Sequence, residues 1–138
     1  MSGTTYQASS ALGQVVEAVI NLMNATHPFA TVTRGALPTG PGITCETDPS
    51  RPETLFWDKN VYIQLVIVIN GKHHDMGVLN DALNSIHYEL TRARSYPSGN
   101  GWQIVDIRNY TMPRFIGRED NNDWLMASAL SVNFYWRG

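Results

Sequence analysis

The stretch from Asn60 to Asn70 restricts what this chain can fold into more than any other. Ile63, Leu65, Ile67 and Ile69 alternate with Tyr62, Gln64, Val66 and Val68, the period-two pattern of a strand whose successive side chains point to opposite faces. Both sets are mostly apolar, so the pattern predicts a central strand covered on both sides. Asn70-Gly71 follows as a turn signal and predicts that the strand ends there. The rest of the chain has to be arranged around a sheet.

Helical spacing flanks that strand. From Ser9 to Ala25, the residues Leu12, Val15, Val16, Val19, Ile20, Leu22 and Met23 form one apolar stripe. Ser9 or Ser10 is placed to cap this helix, and His27-Pro28 stops it, because a residue before proline is pushed out of the helical region. Residues 1–8 are expected to form a flexible N-terminal arm. After the central strand, Asp75 is placed as the N-cap of a second helix, Val78 to Arg94. Its stripe is Leu79, Ala82, Leu83, Ile86, Leu90 and Ala93, with Arg92 and Arg94 in the last turn, where the helix dipole favours cations.

Residues 28–53 hold Pro28, Pro38, Pro41, Pro49 and Pro52, five of the seven prolines, which leaves room only for short extended pieces. These are Ala30 to Arg34, Gly42 to Thr47 and residues 53–59, the last with Phe56 and Trp57. Trp102 to Asn109 reads as a strand, Thr111 to Asp123 as a polar connection, and Trp124 to Trp136 as the last strand. In that last strand Met126, Leu130, Val132, Phe134 and Trp136 mark one face, and Ala127, Ala129, Ser131 and Asn133 the other. Grouped strands with two helices predict one α+β domain over residues 1–138. The expected architecture is a mostly antiparallel sheet with two main helices packed on one face, and a small, polar face free to meet a second subunit.

Composition narrows the function classes. The longest apolar run, Leu65 to Ile69, is far too short to span a bilayer, and residues 1–10 lack the basic and apolar segments of a secretory signal. A formal net charge of −2 offers no basic field for nucleic acid. Cys45 is the sole cysteine, so no disulfide framework or cysteine zinc site is expected, and the glycosylation-like Asn24-Ala25-Thr26 and Asn109-Tyr110-Thr111 read as chance. Charged residues make up 16%, against about 25% in ordinary soluble domains. Eight of the ten basic residues are Arg, beside four Trp and six Tyr, the residue types that protein interfaces favour over Lys and Glu. Together these features point to a subunit that covers its surface with other protein.

Catalytic and cofactor patterns are missing: there is no phosphate-cradling glycine loop, no G-x-S-x-G and no H-E-x-x-H. His73-His74-Asp75 is the one cluster with metal-ligand chemistry, but adjacent side chains diverge, and a solvated turn ahead of a helix accounts for it. His87, near the second helical stripe, reads as a surface or edge residue, and Glu119 to Asp123 as a hairpin-like turn lacking the spacing of a calcium loop. No enzyme activity, cofactor or metal is expected.

Met112-Pro113-Arg114-Phe115-Ile116-Gly117-Arg118-Glu119-Asp120 leads into Trp124-Leu125-Met126 and ends in Ser131-Val132-Asn133-Phe134-Tyr135-Trp136. This order resembles the end of minor capsid and tail-terminator proteins from siphophages and prophages of Gram-positive bacteria. Their P-x-F-I-G-(R/K)-(E/D)-(D/E) turn is followed by an aromatic residue and an alternating strand. Gly35-Ala36-Leu37-Pro38 and Pro41-Gly42-Ile43-Thr44 resemble the extended strand after their first helix, and the likeness runs over about residues 10–137. The resemblance implies a virion protein assembled in the bacterial host cytoplasm. It implies a homo-oligomeric ring, commonly a hexamer, at the head-proximal end of the tail. There the ring would contact the tail-tube protein and the head-completion protein, with no membrane, cofactor or sequence-specific nucleic acid. Contact surfaces are expected at Pro49 to Trp57 and Thr111 to Asp123, with Trp57, Arg114, Phe115 and Arg118 as candidate interface residues. A head–tail connector subunit, which the neighbouring genes would distinguish, and an unrelated α+β ligand-binding module or enzyme are the alternatives. The last would need a concave site that places His87 or His74 beside a buried carboxylate.

Overall fold

The computed structural model describes residues 4–48, 53–57, 60–119 and 122–137, with side-chain positions over 12–48, 63–119 and 122–136. Along the chain run α1 (Thr4–Asn24), β1 (Val32–Arg34), β2 (Gly42–Thr47), β3 (Glu53–Trp57), β4 (Asn60–His73), α2 (Met76–Thr91), β5 (Ser98–Gly99), β6 (Trp102–Arg118) and β7 (Trp124–Arg137). The strands form one sheet in the order β1-β2-β4-β7-β6-β5, and β3 pairs with β4 beyond the end of β2.

This arrangement corrects the expected architecture. The molecule is broadly α+β, but it is dominated by a mixed sheet curled into half a barrel, with far more of the chain in strands than in its two helices. The sheet is mixed because β1 runs parallel to β2, with Val32 opposite Ile43. It is larger than expected because two strands run past their predicted ends. The second half of β6, Thr111 to Arg118, is strand rather than polar connection. β4 passes straight through Asn70-Gly71 to His73. Gly71 serves packing, not a turn: a Cβ there would lie 2.7 Å from Leu79 Cδ1 and 2.9 Å from Leu83 Cδ1, so α2 rests directly on the strand.

The alternation read in β4 and β7 holds. Leu65, Ile67, Ile69, Met126, Leu130, Val132, Phe134 and Trp136 share one core with Val15, Val16, Val19, Ile20 and Met23 of α1 and Leu79, Leu83, Ile86 and Leu90 of α2. Each such aliphatic or aromatic side chain stabilises the fold by about 1.5–3 kcal/mol through removal from water. On the opposite face of β4, Val66 is buried as well, and polar side chains there bond across strands: Gln64 Nε2 donates to Ser131 Oγ (2.8 Å), and Asn133 Nδ2 to Asp106 Oδ1 (2.7 Å).

The helix ends follow local chemistry. Asp75 Oδ1 accepts from the Gly77 and Val78 amides at 2.9 and 3.2 Å, which caps α2 at the predicted residue. α1 begins at Thr4 rather than near Ser9, and α2 stops at Thr91, so Arg92 is its C-cap and Arg94 lies outside the helix. Asn24, the last residue of α1, reaches across to β1: its Oδ1 accepts from the Val32 amide at 2.7 Å and its Nδ2 donates to Val32 O at 3.3 Å.

Candidate interaction surface

Chain pairing first makes β6 and β7 a long hairpin. Its turn is closed by the Glu119 amide donating to Asp123 O (2.8 Å) and the Asn122 amide donating to Glu119 O (2.9 Å). Asn122 adopts a positive φ of 71°, a conformation that asparagine tolerates better than most residues. The acidic run thus contributes to a hairpin turn, as its spacing suggested. β6 does not keep a clean alternation. The register against β7 shifts between Asn109 and Thr111, between Thr111 and Arg114, and between Phe115 and Gly117, and each irregularity re-aims the side chains around it.

The outcome is an apolar surface on the distal half of β6. Tyr110, Met112, Phe115 and Ile116 are 45%, 54%, 39% and 54% exposed. Arg114 and Arg118 lie exposed in the same run. Trp124, at the start of β7, organises part of it: Phe115 packs edge-on to its ring at 5.6 Å, and the Arg118 guanidinium lies 4.4 Å above it. Beneath the turn, Lys72 Nζ is 3.0 Å from Glu119 Oε1, with the lysine side chain 4% and the glutamate side chain 38% exposed. This ion pair ties the end of β6 to β4.

Three of the four predicted interface residues, Arg114, Phe115 and Arg118, therefore come together on one strand. Trp57 does not join them. It ends β3 opposite Asn60, at the far end of β4 from His73, which pairs with Trp124; its side chain lies outside the described residues. From sequence, Trp124 is placed only as the start of the last strand and Glu119 only in a turn, and Lys72 is given no role. An arginine six residues before a tryptophan across a short turn was the available signal for the first. For the ion pair there was none, since its partners are 47 residues apart.

His73 Nδ1 accepts from the Asp75 amide at 2.8 Å, and its ring stacks on His74 at 4.4 Å. With the Asp75 carboxylate on the helix amides, this turn serves as a cap. Among the described residues no three His, Cys, Asp or Glu side chains converge as metal ligands. Burial pushes the Cys45 thiol up to about 11, which keeps it protonated and unreactive at neutral pH.

His87 corrects the sequence reading: it is 2% exposed, not a surface residue. Its Nδ1 is 2.8 Å from Asn109 Oδ1 and its Nε2 is 2.8 Å from Ser128 Oγ. A neutral ring satisfies both, donating to the carboxamide and accepting from the hydroxyl. Burial depresses its proton affinity, and the bond to Asn109 only partly opposes this. The hydroxyl–imidazole–carboxamide order is that of a nucleophile, base and orienting group. However, Ser128 is 2% exposed and faces the interior, and the open groove of about 970 Å³ beside α2 is lined by His87 and Asn109 but not by Ser128. The line therefore holds α2 to β6 and β7. The carboxylate that a catalytic reading required beside His87 is replaced by an amide.

No protein-family model matches this sequence, and no curated protein matches it. Among the described residues no helix is long and apolar enough to cross a membrane.

Proposed function

We propose that this chain is a structural protein of a tailed bacteriophage virion, a tail terminator or minor capsid protein. It assembles with copies of itself into a ring, six-fold in the family it resembles, at the head-proximal end of the tail. There it joins the tail-tube protein to a head-completion protein. The role is non-enzymatic, and assembly takes place in the bacterial host cytoplasm.

The observation that carries this reading is the distal half of β6. Four large apolar side chains, Tyr110, Met112, Phe115 and Ile116, stand in water within seven residues of one another, among Arg114 and Arg118. Large apolar side chains left exposed close together on one strand, with arginines among them, favour a protein contact. The low charge content adds to it, because a chain with 16% charged residues has little with which to solvate such a patch. The resemblance over residues 10–137 supplies the class of partner.

Electron microscopy and sedimentation velocity of the purified protein test the proposal. Rings should grow in with concentration or on tail-tube subunits. A protein that stays monomeric at every concentration and fails to bind tail-tube subunits overturns it.

A further inference from the structure

The sheet has several margins, and most are closed. On β1, the Asn24 carboxamide takes both outward groups of Val32. On β6, β5 pairs with Trp102 and Gln103, the Ile104 amide donates to Pro97 O at 3.1 Å, and the Ile107 amide faces the Tyr96 hydroxyl. Among the described residues, two longer margins have no neighbour: the outer side of β3, Glu53–Trp57, and the outer side of β6 from Asn109 to Arg118. Unpaired strand margins recruit further strands.

The geometry points to these two margins being the two halves of one contact, in which β3 of one copy adds to the distal β6 of the next copy. This rests on the self-assembling role proposed above and names the surfaces that would carry it.

Three observations support it. The first is direction. β3 and β7 both run antiparallel to β4, and β6 runs antiparallel to β7, so β6 runs with β4 and against β3. A copy set beside another in the same orientation therefore brings β3 to β6 as an antiparallel pair, the more stable kind. The margins also lie on opposite sides of the sheet and at opposite ends of β4. A head-to-tail contact can thus repeat from copy to copy, as ring closure demands.

The second observation is length. Pro113 has no amide to give a ladder, so the strand beyond it is the five residues Arg114 to Arg118, with one irregularity against β7 between Phe115 and Gly117, beside the five of β3. The third is charge. Residues 109–118 contain Arg114 and Arg118 and no acidic residue, whereas β3 contains Glu53 and no basic one. Antiparallel pairing of the two five-residue runs sets Glu53 opposite Arg118, Trp57 opposite Arg114 and Leu55 opposite Ile116. Opposite charge sets register and rejects β6 pairing with itself, which would bring arginines together.

Cysteine cross-linking of the full chain tests this, since directly opposed residues on paired strands place their Cβ atoms within about 4.5–5.5 Å. The single variants Leu55→Cys and Ile116→Cys should each resist cross-linking alone and form a disulfide-linked dimer when mixed. A chain carrying both should oxidise to a ladder of multimers. The native Cys45 is buried and stays out of the reaction. As a second measurement, Glu53→Arg should weaken self-association by about tenfold or more through like-charge contact, and adding Arg118→Glu should restore it. Dimers from Ile116→Cys alone overturn the pairing, because β6 then meets itself. Assemblies that form in the parent protein, while the mixture does not cross-link and the charge swap rescues nothing, also overturn the pairing but leave the assembling role standing. A parent protein that is monomeric throughout removes both.

Discussion

Between Trp102 and Ile107, β6 buries Trp102, Ile104 and Ile107, and residues 96–99 meet its outer side. The Trp102 indole is anchored further by donating to Gln14 Oε1 at 2.6 Å, which binds this half to α1. Between Tyr110 and Arg118 the same strand exposes Tyr110, Met112, Phe115 and Ile116, and among the described residues nothing pairs with its outer side. Both halves are rich in apolar residues. The difference is that the helices and the 96–99 loop reach the first half only. Apolar content alone thus separates core from exposed surface poorly; what separates them is whether another element of the chain arrives to cover it. Bulges sharpen the contrast, since the register shifts beyond Asn109 put large apolar groups on both faces of the strand.

Paired truncations would test this contrast most severely. Ile107→Ala, at a residue 1% exposed, should cost about 2–5 kcal/mol in chemical denaturation, whereas Ile116→Ala, 54% exposed, should stay within about 0.5 kcal/mol. Equal losses at the two sites would erase the distinction. Next in size is the tether of the distal half: Glu119→Gln leaves the nearly buried Lys72 ammonium without its carboxylate. Because Glu119 is itself 38% exposed, water screens part of the loss. About 1–2 kcal/mol is expected, between the values for buried and surface pairs. Unchanged stability would mean that the hairpin turn needs no anchor on β4.

The junction of the two halves carries a pH dependence. His87, bonded to Asn109, holds its proton less readily folded than unfolded, since burial lowers its pKa from 6.5. The unfolded chain therefore binds the extra proton first. Stability is full above about pH 6.5 and falls as pH drops from there towards the depressed folded value. The slope for one proton is at most about 1.4 kcal/mol per pH unit. Denaturation across pH 4–8 should show that fall in the parent and a flatter profile in His87→Gln; identical profiles would place the sensitivity elsewhere. A smaller loss than at the Lys72–Glu119 tether belongs to Arg118→Ala, which removes the guanidinium over Trp124. A loss of about 0.5–1 kcal/mol is expected, read as a lower midpoint in chemical denaturation.

Sequence reasoning reached those features whose cause is local. The Asp75 cap, the bounds of β2 at Gly42–Thr47 and the two faces of β4 and β7 all follow from neighbours a few residues away. It failed where a distant residue reassigns the meaning of a near one. Gly71 looked like a stop because nothing local reveals that Leu79 and Leu83 will lie on it. His87 looked exposed because its partners, Asn109 and Ser128, are 22 and 41 residues away. The second half of β6 looked like a connection because Thr111, Pro113 and Gly117 break the alternation, and in the folded chain they mark bulges instead. Arg114, Phe115 and Arg118 were found together because one strand carries them, whereas Trp57 is separated from them by the length of β4.

A carboxamide carries the same donor and acceptor as a peptide unit, and Asn24 presents both to Val32. One helix residue thereby takes the place of a strand residue and closes β1 at Val32. In the proposed contact of β3 with β6, additions would then run along a single diagonal, which favours a closed, countable assembly over branching growth. Asn24→Ala would open β1, and amide exchange at Val32 would report it.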